Sequence, residues 1–216
     1  MEAIFSSFLI ILSTLLPILD PFGGCMFFLA LTPGITDEQR AMMTRRIVLY
    51  SAIILFASLF AGTLILSFFG ISMGILRMCG GLLICSAGWK NLNAPSRVDQ
   101  PVEVEPTQST EKLLGMTFYP ITLPLTMGPG VISVICSLGT GIFTDGMEAF
   151  IGMMLACVVA LAVVYFCYRH CDRIGRAAGK AGADALSRIF SFILICLGTG
   201  VFWKGLTEEV QRFLGA

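Results

Sequence analysis

The stretch PILDPFGGC, residues 17–25, interrupts the first long apolar run of the sequence. It places two prolines, an aspartate and two adjacent glycines where a membrane-spanning helix would carry leucine and valine. Proline inside a helix removes a hydrogen bond and clashes with the preceding turn, at a cost of about 3 kcal/mol. Because non-helical backbone at membrane depth survives only inside protein or beside a watery cavity, the stretch predicts a helix that is broken for a functional reason.

The composition is that of an integral membrane protein. Of 216 residues, 56% are hydrophobic and 13% are charged, whereas a typical soluble domain has about 25% charged residues. The runs 47–69 and 149–168 contain no charge and no proline, and each reaches the about 20 residues needed to cross the hydrocarbon core. The sequence predicts an all-α polytopic membrane protein with six transmembrane spans, numbered in chain order: 3–31, 47–69, 71–89, 113–140, 149–168 and 189–203.

The basic residues predict the orientation of these spans. Lysine and arginine accumulate in the cytoplasmic loops of membrane proteins. Eleven of the 14 fall in the first, third and fifth loops: Arg40, Arg45, Arg46, Lys90, Arg97, Lys112, Arg169, Arg173, Arg176, Lys180 and Arg188. Both termini are therefore predicted to lie outside, on the periplasmic or extracellular side. The lack of a basic cluster beyond these loops predicts no nucleic-acid partner.

Proline placement divides the six spans into three plus three. Five of the nine prolines lie within spans, and all five fall in spans 1 and 4: Pro17, Pro21, Pro120, Pro124 and Pro129. The segment ILRMCGGLLIC in span 3 also lines up with LSRIFSFILIC in span 6, and the two tryptophans sit in similar endings, WKNL and WKGL. The sequence thus predicts a first repeat at 1–92, a cytoplasmic linker at 93–112 and a second repeat at 113–216.

Three spans per repeat make the second repeat enter the membrane inverted, as in many secondary transporters. Chance similarity among apolar helices is the alternative interpretation. In an inverted repeat, the break in span 1 and the break ITLPLTMGPG, residues 121–130, in span 4 are predicted to meet near the bilayer midplane.

Two such breaks offer opposite partial charges. The N–H groups at a half-helix N-terminus favour an anion, and freed carbonyls favour a cation or an ammonium group. A site that offers both suits a zwitterion. The candidate substrate-binding residues come from the two breaks: Asp20, Pro21, Gly23, Gly24, Thr126, Gly128, Pro129 and Gly130.

Asp20 is the carboxylate placed well inside a span, and two roles are open for it. It binds a substrate ammonium or carries a coupling proton, or it caps the half-helix that begins at Pro21. Three hydroxyls of span 4, those of Thr126, Ser133 and Ser137, either contact the substrate or bond to carbonyls of their own helix.

Arg77 and Arg188 are candidate gating or ion-pair residues. Arg77 lies inside span 3, where it could pair with Asp20, bind a carboxylate or extend towards the outer surface. Arg188 is its counterpart near the inner end of span 6. The segment TDEQ, residues 36–39, has the form of a capping box and predicts the start of the second helix.

The eight cysteines predict neither a disulfide framework nor a metal site. Seven of them lie in apolar spans, where cysteine behaves as a small hydrophobic residue. His170, in the segment YFCYRHCDR at residues 165–173, lies between Cys167 and Cys171, but this spacing matches no established zinc pattern. The segment is typical of a helix that leaves the membrane.

Four segments resemble the MarC family of bacterial inner-membrane proteins: LPILDPFGG, FFGISMGILRMCGGLLI, ITLPLTMGPGVIS and SRIFSFILICLG. The resemblance covers nearly the whole chain in order. It implies six spans in the inner membrane and, for at least some members, transport of neutral amino acids. The sequence departs from the family pattern at Gly24 and at the pair Ser191 and Phe192, which bears on the substrate more than on the fold.

Two functions remain open. The first is a secondary transporter that moves small neutral amino acids or similar zwitterions by alternating access around a midplane site, with export as one of the two directions left open. The second is a membrane thiol–disulfide carrier that uses Cys25 and Cys136. We expect no enzymatic activity and no cofactor. The expected partners are the lipid bilayer and a small-molecule substrate, while a coupling proton or sodium ion and an oligomeric state are left open.

Overall fold

The computed structural model describes residues 2–32, 34–93, 110–139 and 146–215, and every regular element within them is a helix. A π-helical segment, Thr117–Thr126, with non-helical backbone at Tyr119 and Leu123, lies between the fifth and sixth α-helices. The helices are α1 Glu2–Leu19, α2 Pro21–Leu31, α3 Asp37–Phe68, α4 Met73–Leu92, α5 Thr110–Met116, α6 Pro129–Gly139, α7 Gly146–Arg169 and α8 Cys171–Leu214. The all-α fold class is confirmed for the described residues.

Three helical stretches are long and apolar enough to cross a membrane. They are Glu2–Leu29, Asp37–Gly62 and Gly146–Arg169. The pair Leu113–Thr126 and Pro129–Gly139, bent by 65°, adds a fourth if it forms one broken span. Within the described ranges α4 and α8 are not among these stretches, so the six-span count stays a prediction.

Two of the connections predicted between spans, the linker 93–112 and the fifth loop, can be compared with the structure to different extents. The linker 93–112 lies outside the described residues except at its ends. The fifth loop, predicted between residues 169 and 188, is largely helical, because α8 already begins at Cys171. This segment is rich in alanine and arginine, which favour helix, and the helix is interrupted within it only at Gly179, where φ is 63°.

The start of α3 confirms the predicted capping box. Thr36 Oγ1 accepts a hydrogen bond of 3.2 Å from the Gln39 amide, and Gln39 Oε1 accepts one of 3.0 Å from the Thr36 amide. This reciprocal pair satisfies two backbone donors that a helix start otherwise leaves unpaired. The cap therefore fixes the start of α3 at Asp37.

α4 and α8 pack closely along a line of small residues. On α4 these are Gly74, Gly81 and Gly88; on α8 they are Ser191, Gly198 and Gly205. Residue numbers rise along α4 as they fall along the facing α8, so the two helices run antiparallel. Small residues at such a line let two helix backbones approach closely, which is typical of helix pairs in membranes.

The first broken span packs against α7 in a parallel direction. Gly152 of α7 faces the Ile4 carbonyl of α1, and Tyr168, near the end of α7, faces Gly24 of α2. The contacts therefore advance in the same direction along both chains. This alignment carries the end of α7 to the point where the first span is interrupted.

The α4–α8 contact predicts the effect of adding one methyl group. A Cβ atom on Gly81 would lie 2.5 Å from both the Gly198 carbonyl oxygen and the Phe202 amide nitrogen, and backbone atoms cannot rotate away. We expect Gly81→Ala to destabilise the protein by about 1–3 kcal/mol, measured as thermal unfolding of the purified protein in detergent. The matched control is Gly200→Ala, whose Cβ meets no atom of the described residues within 4 Å. Equal stability of the two variants would contradict the proposed packing.

Candidate functional site

The first break is a single non-helical residue. Asp20 lies between α1 and α2 in the left-handed region, with φ 41° and ψ 61°, a conformation that few residues other than glycine adopt. Its Oδ1 accepts a hydrogen bond of 3.0 Å from the Gly23 amide, and Pro21 is the first residue of α2. A Cβ atom on Gly23 would overlap this carboxylate. The capping role of Asp20 is therefore confirmed.

Proline chemistry explains why the helix stops here. The carbonyl of residue 17 would normally accept from the amide of residue 21, but that residue is Pro21, which has no N–H. The same spacing occurs in the second break, where Pro120 is followed four residues later by Pro124. The two segments read PILDP and PITLP, so each break removes the normal helical donor from one proline carbonyl.

The second break is longer. Tyr119 and Leu123, the residues before Pro120 and Pro124, have extended backbones, with φ −127° and −112°, as the residue before a proline prefers. Both of these X–Pro peptide bonds are cis. The chain then bends by 65° before α6.

Threonine hydroxyls replace part of the backbone hydrogen bonding of this segment. Thr122 Oγ1 donates to the Thr117 carbonyl at 2.6 Å, and Thr126 Oγ1 donates to the Ile121 carbonyl at 2.9 Å. Both threonines are buried. Thr126 therefore bonds to its own segment, which was one of its two predicted roles.

Tyr168 of α7 brings the two breaks together. Its side chain is fully buried, and its hydroxyl lies 2.9 Å from Thr126 Oγ1 of the second break. A Cβ atom on Gly24 of the first break would overlap the same hydroxyl. The Tyr168 ring also stacks on Phe28 of α2 at 5.4 Å. Gly24 and Thr126 are thus on opposite sides of one phenol group.

The hydrogen bonds around Tyr168 determine whether its hydroxyl remains available as a donor or as an acceptor. Thr126 has one hydroxyl proton, which it gives to the Ile121 carbonyl, so Tyr168 donates to Thr126. The phenol oxygen then keeps its acceptor capacity. Sequence reasoning missed this residue, although a tyrosine inside a charge-free span was a signal for a buried hydroxyl that needs a partner.

Other predicted residues of span 4 lie away from the first break. Gly128 forms the turn, since a Cβ atom there would lie 2.8 Å from the Pro124 carbonyl oxygen. Pro129 is exposed and begins α6, and Gly130 packs on Ile84 of α4. Pro21 is buried at the start of α2. The structure therefore brings together Gly24 and Thr126, but not Pro129 and Gly130 with them.

The two serines of span 4 contact α4 rather than the breaks. Ser133 Oγ donates to the Leu76 carbonyl at 2.9 Å, and Ser137 Oγ accepts from Arg77 Nε at 2.6 Å. Both serines therefore make contacts between α6 and α4 that the sequence did not predict, while a contact with a substrate stays a prediction. These contacts exist because Gly80 leaves room for Ser133 beside α4.

The two arginines predicted to gate are both engaged. Arg77 forms an ion pair with Glu208 of α8, not with Asp20. Arg188 Nη1 donates to the Leu92 carbonyl, at the end of α4, at 3.0 Å, where a cation is favoured by the helix dipole. Arg77 thus joins α4, α6 and α8, and the predicted ion-pair character holds for it with a different partner.

Cys25 and Cys136, the thiols of the alternative function, lie against different elements. Cys136 Sγ faces Gly62 of α3, whereas Cys25 is buried on α2, which packs against α7 and α8. All eight cysteines are free thiols. The geometry gives the thiol–disulfide function no support.

A cavity of about 320 Å³ lies between α1 and α7, away from both breaks. Its lining is apolar: Ile4, Phe5, Phe8, Leu155 and Val159. Such a lining suits an acyl chain rather than a zwitterion. The polar groups that could hold a small solute are instead those around Tyr168.

Comparison with known proteins identifies the family. The chain is similar to the inner membrane protein MarC of Salmonella typhimurium, with 28% identity over 209 residues that cover 94% of this chain and 95% of the relative. The MarC proteins of Citrobacter koseri and Escherichia coli O1:K1 are 26% and 27% identical with the same coverage. No solved structure matches the chain. The pattern of MarC family integral membrane proteins matches residues 5–210, and the chain belongs to that family.

Proposed function

We propose that the protein is a secondary transporter of small neutral amino acids or similar zwitterions, with its solute site between the breaks of spans 1 and 4. The observation that carries the proposal is the position of Tyr168, whose hydroxyl touches Gly24 of one break and Thr126 of the other. Substrate sites in such transporters lie where two discontinuous helices meet.

The chemistry around Tyr168 suits both ends of a zwitterion. The positive end of the α2 dipole favours a carboxylate, and a solute carboxylate would take the Gly23 amide in place of the Asp20 side chain that now accepts from it. The carbonyl of Pro17 lacks its normal helical donor, and the Tyr168 oxygen retains an acceptor, so both favour an ammonium group. Asp20 adds a negative charge beside the first break.

The proposal includes six spans arranged as two inverted repeats, with both termini outside. The first repeat ends with α4 and the second begins with α5. In a six-span chain spans 1 and 5 run in the same direction, and spans 3 and 6 run in opposite directions. The parallel packing of α1 on α7 and the antiparallel packing of α4 on α8 support this order, as does the repetition of PILDP as PITLP.

Coupling to a proton has a physical route at Asp20. The carboxylate accepts the Gly23 amide at the start of α2, and protonation would weaken this charge-assisted bond. A proton on Asp20 would therefore loosen α2 where the two breaks meet.

Substitutions at Asp20 separate its charge from its capping role. Asparagine is also a good helix cap and tolerates left-handed backbone, so Asp20→Asn should fold with near-normal stability. We expect it to abolish uptake into proteoliposomes, because the charge is lost. The assay uses the amino acid that, among the twenty, most raises the unfolding temperature of the purified protein. Asp20→Ala should lose about 1 kcal/mol of stability as well. Full transport by Asp20→Asn would show that the negative charge of Asp20 is not needed for transport.

Tyr168→Phe tests the contact between the breaks. The substitution keeps the ring on Phe28 and removes only the hydroxyl, so we expect a stability change of about 1 kcal/mol with at least tenfold weaker solute binding. Binding is measured as the solute concentration that gives half of the thermal stabilisation. The control is Tyr165→Phe, one turn earlier on α7. Equal loss in both variants would argue against a specific role of Tyr168.

Gly128→Leu tests the turn of the second break. The side chain would be forced onto the Pro124 carbonyl, which lies 2.8 Å from the added Cβ, and the turn before α6 would have to open. We expect loss of uptake. Gly115→Leu on α5, where an added Cβ meets no atom of the described residues within 4 Å, should retain it. Normal uptake by Gly128→Leu would argue against a solute site beside the turn of the second break.

A further inference from the structure

The junction of α7 and α8 carries three arginines on one side. Arg173 and Arg176, in the first two turns of α8, are exposed, and Arg169, at the end of α7, is partly exposed. The Ile174 amide donates to the His170 carbonyl at 3.0 Å, so helical hydrogen bonding continues through the junction. Because residues four and seven positions apart share one side of a helix, the three arginines form a single stripe, which we call the arginine face.

The opposite side of the same segment packs onto the protein. Cys171 is completely buried, and Ile174 packs against the hydrophobic core. A Cβ atom on Gly175 would lie 3.0 Å from the Leu29 side chain of α2. The start of α8 is therefore an amphipathic helix whose apolar side is covered by the protein and whose charged side is left open.

The depth of this segment follows from the spans beside it. The candidate spans Glu2–Leu29 and Gly146–Arg169 both end here, and Gly175 packs against the last residue of the first one. The end of an apolar span lies where hydrocarbon gives way to lipid headgroups. The arginine face is therefore placed at headgroup level, and a basic amphipathic helix at that level is typical of segments that bind anionic lipids.

The charges around the arginine face leave it positive. Asp172, in the same segment, is held by Arg40 of α3, with 2.7 Å between Nη2 and Oδ2. Arg176 Nε donates to the backbone carbonyl of Asp172 at 3.3 Å, which leaves the charge of Arg176 uncompensated. Among the described residues, none forms a hydrogen bond or an ion pair with the side chain of Arg173. Two exposed guanidinium groups are thus available to an anion from outside the protein.

We propose that the arginine face binds the headgroup phosphate of an anionic phospholipid. Side chains one turn apart on a helix have Cβ atoms about 5–6 Å apart, so Arg173 and Arg176 can reach the same phosphate. Each guanidinium offers paired N–H donors to phosphate oxygens. Asp37 lies 4.0 Å from Arg169 and compensates part of its charge, so the two exposed arginines contribute most of the binding. The inference goes beyond the proposed function and does not depend on which solute is moved.

The test follows thermal unfolding of the purified full chain in a neutral detergent with added lipid. Dioleoylphosphatidylglycerol is compared with dioleoylphosphatidylcholine, which has the same acyl chains but no net charge. We expect phosphatidylglycerol to raise the unfolding temperature more, because a ligand that binds the folded state stabilises it. High salt should reduce this difference, because it screens exposed charges. Inorganic phosphate is the soluble anion in the comparison and should stabilise the protein less than phosphatidylglycerol.

Arg173→Gln and Arg176→Gln should each weaken the apparent affinity for phosphatidylglycerol about fivefold. Glutamine has nearly the helix propensity of arginine, so both variants should unfold at the wild-type temperature in phosphatidylcholine. The matched control is Arg212→Gln, an exposed arginine in the last turn of α8. Glu208 and Glu209 lie one turn before it and offset its charge, so this variant should keep the wild-type affinity.

Four results would overturn the inference. They are equal stabilisation by the two lipids, equal phosphatidylglycerol affinity in the wild type and both arginine variants, inorganic phosphate that stabilises as strongly as phosphatidylglycerol, and an affinity loss in Arg212→Gln as large as in the other variants. The third result would make the arginine face a site for a soluble anion. No transport assay is involved, so this inference and the transporter proposal stand or fall separately.

Discussion

The structure depends on one constraint, which is that a backbone carbonyl inside a membrane protein must find a donor without the help of water. Each proline within a span removes one donor. Pro21 does so for the carbonyl of Pro17. Beside the breaks, side chains take over part of the backbone hydrogen bonding: the Asp20 carboxylate accepts from the Gly23 amide, and the hydroxyls of Thr122 and Thr126 donate to the carbonyls of Thr117 and Ile121. Both breaks are therefore stabilised polar elements rather than defects, and such elements must be kept from lipid by the surrounding helices.

Close packing provides that cover. Glycines allow α4 and α8 to approach at backbone distance, and Gly24 allows α7 to place a phenol directly against the first break. The absence of a side chain at residue 24 thus has a structural reason, because any Cβ would displace Tyr168. Gly24 and the buried tyrosine therefore belong to the same contact, which joins the first break to the end of α7.

What could be predicted from the sequence follows from which interactions are local. The two breaks, the cap at Asp20 and the capping box at Thr36 all arise within five residues and were readable from proline and hydroxyl positions. The partners of Tyr168 and Arg77 were not, because Thr126 and Glu208 lie 42 and 131 residues away. For the same reason Ser137, which bonds across to α4, could not be assigned from its own helix. The predicted count of six spans also exceeds the three stretches, or four with the bent pair, that are long and apolar enough among the described residues.

Two ion pairs join helices that would move relative to each other in the proposed transport cycle. Arg40 of α3 pairs with Asp172 at one end of α8, and Arg77 of α4 pairs with Glu208 near its other end. Each pair joins a helix of the N-terminal half of the chain to α8. If the repeats rock against each other, one pair must separate while the other holds.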